Sequence, residues 1–206
     1  MTPARAQQAV ALSEDFLDWW FGPWSYLEPV TLPALGEAPV ARRDAYRQWC
    51  AAAGAAADLP RHFDAEWQIA AVRRERQLSD CARLFGGLFA ARAHDGAALN
   101  QLPKEEQAWC MSISLAQPLV ACAADLPDAA DAEARGLAEL AWRLERNFPG
   151  MWSRLRLLIP GARAEAVGRA LERGRTAGGG ESAAAMRRAQ RCWRICRERA
   201  GLSGTT

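Results

Sequence analysis

Apolar residues recur along this chain at the three- and four-residue intervals that give a helix one oily face. The firmest stripes are Cys81, Leu84, Phe85 and Leu88, and then Leu137, Leu140, Ala141, Leu144 and Phe148. One stretch has no polar face to set against its apolar one. Gln107 to Ala124 (QAWCMSISLAQPLVACAA) runs eighteen residues without a charge. Pro103, Glu105 and Glu106 ahead of it make a good helix opening, because the first turn needs no N–H and acids favour the positive dipole end. A helix apolar all round must be buried all round. The stretch is therefore expected to form a central core helix, kinked at Pro118. Gln117, Pro118 and two serines interrupt it too often for a membrane span, which needs about 20 predominantly apolar residues.

The other elements follow from local signals. A first helix over residues 4–21 should stop at Gly22–Pro23. The next segment, FGPWSYLEPVTLP, holds Phe21, Trp24, Tyr26 and Leu27 among Pro23, Pro29 and Pro33, which forbid regular structure. Such a rigid aromatic loop either plugs a helical core or offers a preorganised contact surface. Aromatic burial is the commoner outcome and favours the plug. Residues 39–53 read as a helix with Val40, Tyr46, Trp49 and Cys50 inward and Arg42, Arg43 and Arg47 outward. Residues 63–77 read as a weaker helix carrying Trp67, and Ser79 or Asp80 is placed to cap the next one. Gly86 and Gly87 inside that next helix cost about 1 kcal/mol each against alanine, which makes sense if a neighbour approaches closely. Asp95–Gly96 ends it, and a short turn follows over residues 97–102.

Beyond the uncharged stretch, DLPDAAD at 125–131 is an acidic connector and the best internal boundary. A helix carrying the second stripe follows, broken at Pro149–Gly150. A short helix holds Trp152, Leu155, Leu158 and Ile159, and another over 162–175 turns Val167, Ala170 and Leu171 inward. Gly178–Gly180 form a flexible link. A last helix over 182–200 puts Met186, Ala189, Trp193, Cys196 and Ala200 on one face and Arg187, Arg191 and Arg194 on another.

Composition agrees with an all-α fold. There are 44 alanines and only 15 Val, Ile and Thr together, so helix formers dominate and strand formers are scarce. The expected architecture is a compact multi-helix single domain around a buried central helix, with an irregular Pro/aromatic N-terminal loop. Residues 1–176 would be the helical core, with a candidate subdivision near 125–131, and 177–206 a glycine linker plus arginine-rich helix. Charge is uneven: residues 143–206 hold 14 Arg against 5 Glu, a net +9 in a chain of +2, which leaves −7 on residues 1–142. That split suits either internal docking of the two portions or two differently charged partners. The N-terminus shows no secretory signal pattern.

Candidate chemistry is thin. The six cysteines have no CxxC spacing, so neither zinc nor thioredoxin-like chemistry is indicated. Cys192 and Cys196 lie four apart, but two soft ligands alone make no metal site, and small buried thiols are the plainer reading. His62 and His94 are the only histidines and sit in no nucleophile setting. The carboxylate pairs Glu105–Glu106 and Asp128–Asp131 fall at helix starts or loops, where capping explains them. The single lysine, Lys104, belongs to no P-loop. No catalytic, cofactor-binding or metal-binding residue is expected. RRAQRCWRICRER leaves three readings: phosphate tracking with base stacking, insertion of Trp193 into a partner's groove with arginines on an acidic rim, or the solvated face of a core helix.

WWFGPWSYLEPVTLP resembles the aromatic–Pro–x–x–Tyr–Leu–(His/Glu)–Pro–x–x–Leu signature of the K-subunit family of bacterial type III secretion systems (SctK; relatives YscK, PscK, OrgA and MxiK). Pro23, Tyr26, Leu27, Glu28 and Pro29 stand in the matching places. CARLFGGLFAARAHDGAAL resembles that family's leucine-rich helix ending in a His–Gly turn, with His94 and Gly96 near the turn. The resemblance covers roughly residues 16–124. It implies a non-catalytic, helical, cytoplasmic adaptor peripheral to the inner membrane, without direct membrane insertion. Such adaptors belong to the sorting platform and bridge the cytoplasmic domain of an inner-membrane ring protein to the C-ring-like Q subunit. Partner-contact candidates are Trp24 and Tyr26 in the loop, and Arg187, Arg191, Trp193 and Arg194 on the last helix. The alternative is a nucleic-acid-binding regulator using that arginine-rich helix. A cysteine-nucleophile enzyme is a third.

Overall fold

The helix Glu75–Ala93 (α3) is buried on nearly every side from Leu84 to Ala91, and its glycines explain how. A Cβ on Gly86 would fall on the backbone of Ala132 and Gly136, and one on Gly136 would fall on Ala82 and Gly86. Both belong to a seam between α3 and the helix Ala132–Asn147 (α6), where backbone meets backbone. A Cβ on Gly87 would lie 2.7 Å from Cys110 Sγ and 2.8 Å from Leu102 Cδ1. The close approach that the two glycines imply is thus real, and it comes from two neighbours at once.

The computed structural model describes residues 10–27, 38–122, 131–176 and 181–203. Every regular element among them is helical, and the protein is all-α. The helix Glu14–Phe21 (α1) starts at a Ser13 cap that accepts from the Phe16 N–H, later than the expected start near residue 4. It stops at Gly22–Pro23 as predicted and plants Phe16, Trp19 and Trp20 in the core. A 3-10 turn over Pro23–Ser25 leads away. The helix Pro39–Ala53 (α2) keeps its predicted bounds and buries Tyr46, Trp49 and Cys50, but Val40 points outward. Residues expected as a second helix near 63–77 form only a 3-10 stretch, Ala65–Ala70, capped by Asp64. Because α3 begins at Glu75, Ser79 and Asp80 lie inside it. Asp80 caps nothing and pairs with Arg83 at 2.9 Å.

After α3 come the short helix Gly96–Leu99 (α4) and the helix Lys104–Ala116 (α5). Here the structure corrects the expectation. The residue before a proline is pushed out of the helical region, so α5 ends at Gln117 and does not run kinked through Pro118. It turns Cys110 and Ser114 fully inward, with Trp109 and Ile113 half-buried beside them, and leaves Met111 49% and Leu115 80% exposed. The buried central helix is α3. On α6 all five residues of the predicted stripe are buried. The helix Met151–Leu155 (α7) with a 3-10 turn, the helix Gly161–Thr176 (α8) and the helix Ala183–Ser203 (α9) complete the chain.

One hydrophobic cluster joins α1, α3, α6, α7, α8 and α9; a smaller one gathers Tyr46, Trp49 and Cys50 under Trp24 and Leu27. Arg154 bridges the two. Its guanidinium donates to Tyr46 Oη at 2.9 Å and to the Ala56 carbonyl at 2.6 Å, and lies 3.6 Å over the Trp20 ring. No helix among the described residues is long and apolar enough to cross a membrane.

Candidate functional site

Helix α9 has a clear inner face. Ala189, Cys192, Trp193, Cys196 and Ala200 recur at helical spacing and are buried. Trp193 is fully buried, its ring edge-on to Phe85 of α3 at 5.4 Å and 90°. That corrects one candidate: Trp193 faces the core and cannot enter a partner's groove or stack a base. The chemistry that drew attention to it, a large aromatic among arginines, serves to anchor the helix.

The arginines of α9 divide into two sets. Some are used internally: Arg188 donates to the Pro118 carbonyl at 3.0 Å, Arg197 to the Ile69 carbonyl at 2.8 Å, and Arg194 pairs with Glu66 at 3.1 Å. Arg187 and Arg191 are exposed and make no ion pair among the described residues. They stand one turn apart on the rim of a cleft of about 710 Å³ between α9 and the Phe63–Glu66 turn. Its apolar lining comes from Val10, Phe63, Ala65, Ala183 and Met186. The far wall is held in place by Gln190, which donates to Asp64 Oδ2 at 2.6 Å. A second cleft of about 760 Å³ adjoins it, sharing Val10, Glu66 and Arg194 and extending past Arg74.

The described part of the aromatic loop, residues 21–27, packs inward as a plug through Trp24, Tyr26 and Leu27. Tyr26 stacks on Trp19 at 5.4 Å and 17°, and Trp24 rests on the Tyr46–Trp49–Cys50 cluster. Burial pushes the Tyr26 phenol well above its ordinary range. Of the signature residues, Glu28, Pro29 and Leu32 lie outside the described residues. So do the Gly178–Gly180 link and the connector at 125–130. Three of the six predicted contact residues, Arg187, Arg191 and Arg194, therefore share one surface, while Trp24, Tyr26 and Trp193 are engaged in internal packing.

Thiol chemistry is disfavoured throughout. Burial pushes Cys81 and Cys110 up to about 12, Cys122 and Cys192 up to about 11, and Cys196 well above its usual value. A thiol held protonated is a poor nucleophile and a poor metal ligand. His62 and His94 are both exposed, His94 as the left-handed cap of α3 with φ 56°. No group of three or more metal-ligating side chains gathers among the described residues.

Sequence reasoning missed the most polar feature of the interior. Arg143 is fully buried between two carboxylates, Glu139 at 2.6 Å and Glu181 at 3.0 Å. It also donates to the Val120 carbonyl at 3.0 Å, while Glu139 accepts from the Cys122 N–H at 3.0 Å. The triad ties α6, the strand of chain after α5 and the approach to α9 together. Its only signal was that Glu139 and Arg143 sit one turn apart within the apolar stripe of α6, a spacing usually read as a surface pair. No protein-family model, curated protein or solved structure matches this chain.

Proposed function

We propose that this chain is a non-catalytic adaptor of the bacterial type III secretion sorting platform. It would join the cytoplasmic domain of an inner-membrane ring protein to the C-ring-like Q subunit. It would act at the cytoplasmic side of the inner membrane, by binding alone. The observation that carries the reading is the pair Arg187 and Arg191, which make no ion pair among the described residues and stand on a helix whose opposite face is locked into the core. A cation left unpaired on a rigid support suits recognition of an outside partner. The protonated state of the buried thiols supports binding over covalent catalysis, and the N-terminal Pro–x–x–Tyr–Leu–Glu–Pro pattern supplies the choice of family.

The nucleic-acid alternative loses its stacking residue with Trp193 buried. Co-expression with the Q subunit tests the proposal. A complex that survives purification is expected, and R187E/R191E/R194E should weaken it. Failure to capture either the Q subunit or the ring-protein domain would sink the platform reading. A complex indifferent to the triple change would move the contact to another face.

A further inference from the structure

We infer that the cleft between α9 and the Phe63–Glu66 turn is a docking groove for an acidic amphipathic segment of a partner protein. The inference rests on the reading of the chain as a binding protein, and it names the chemistry of what binds. The groove has the two halves such a segment requires. Val10, Phe63 and Met186 give an apolar lining for one or two bulky side chains, and Arg187 and Arg191 give two cations one helical turn apart on the rim.

Charge decides the occupant. On the opposite wall Glu66 is paired with Arg194, while Asp64 accepts from the Gln190 amide and the Glu66 N–H, neutral donors that leave its one negative charge against two arginines. Arg187 and Arg191 have no such partners among the described residues, so the free charge of the groove is positive. Residues 1–9 contain Arg5 and no acid, so they carry no charge complementary to the rim. A phosphate backbone would satisfy the rim but would set a polar chain over Phe63 and Met186, and the Phe63 ring is already packed on Phe148 at 4.5 Å. A segment with apolar residues on one side and Asp or Glu on the other satisfies both parts of the groove at once.

Fluorescence anisotropy with two synthetic helical peptides of about sixteen residues, long enough to hold a helix when bound, tests this. Both carry leucines at i, i+3, i+4 and i+7; one fills its polar face with glutamate and the other with lysine. The glutamate peptide is expected to bind and its lysine twin not to, with affinity falling as salt rises from about 50 to about 200 mM. R187E/R191E, whose circular dichroism should match the parent because both sites are exposed, is expected to lose at least about tenfold in affinity. M186D is expected to lose a similar factor, whereas R42E/R43E on α2 should lose nothing.

Several results would overturn the groove: no saturable binding below about 1 mM, equal binding of the lysine twin, or undiminished binding by R187E/R191E. Two others would reassign it. Removal of residues 1–9 tightening the peptide tenfold or more would make the chain's own N-terminus the occupant. Stoichiometric displacement by a twenty-nucleotide single strand would make it a nucleic-acid site. The peptide assay contains no secretion protein, so its failure condemns the groove alone. Failure of the Q-subunit co-purification condemns the platform reading alone.

Discussion

Helices α3 and α5 lie against each other and invert the usual relation between composition and burial. α3 carries Glu75, Arg76, Asp80, Arg83 and Arg92, yet its middle is sealed on all sides. α5 has no charge between Gln107 and Ala116, yet Ala108, Met111, Ser112, Leu115 and Ala116 face outward at helical spacing. The difference is the number of neighbours. α3 is covered by α6, α5 and α9, each seated where a glycine or an edge-on ring contact allows close approach. α5 has α3 as its main neighbour along its length, with a looser contact to α9 at Arg199–Glu105, 4.0 Å apart, and Arg83–Glu106 clamping its first turn. How deeply a helix is buried depends on how many partners can reach it, and small residues at the crossing points set that number.

The largest effect expected from breaking this contrast lies at the α3–α6 seam. Gly136→Leu must force two backbones apart, and a loss of more than about 3 kcal/mol is expected, at the top of the range for overpacked cores. Urea denaturation measures it, with Gly96→Ala as the control, since nothing lies within 4 Å of that position. A Gly136→Leu protein as stable as the parent would mean that the seam yields freely.

Next comes the triad beneath the seam. Arg143→Met leaves Glu139 and Glu181 buried without their cation, and a cost of about 3 kcal/mol is expected, at the low end for a broken buried pair because Glu139 keeps the Cys122 N–H. Replacing all three by apolar residues of similar volume (E139L/R143M/E181L) should recover most of that loss, because the desolvation penalty vanishes with the charges. A triple variant no better than the single one would mean that the Cys122 and Val120 backbone contacts, and not charge balance, are what the triad supplies.

The smallest effect belongs to α5. Met111→Glu and Leu115→Glu place charges on a face already in water, and a change within about 0.5 kcal/mol is expected. Thermal unfolding would show it. A loss as large as that of Arg143→Met would mean that this face is covered in the folded protein, and the contrast between the two helices would collapse.

Much of the fold was legible because its signals are local. Gly22–Pro23 and the stripe from Leu137 to Phe148 place α1's end and α6 where the chain's own chemistry puts them. Where signals were weak, the chain chose otherwise. Residues 65–70 take a 3-10 form because Asp64 caps a tight turn that buries Trp67, and the extended step at Ala71 delays α3 to Glu75. The candidate site was half legible. Arg187, Arg191 and Arg194 stand out as an arginine face by spacing alone. The cleft beside them could not be foreseen, because Phe63 and Val10 reach it from more than a hundred residues away. Trp193 misled for the same reason: an aromatic between arginines looks the same in sequence whether it faces water or Phe85.

The amino-acid sequence by itself determined that the molecule is helical and where most helices end. Those outcomes depend on alanine content, caps and prolines acting within a few residues. Only the tertiary structure decided which faces are covered, why α3 and not α5 is central, and that Arg143 is held between two buried acids. Each of these depends on contacts between residues far apart in the chain, and no local pattern encodes which distant surface will arrive.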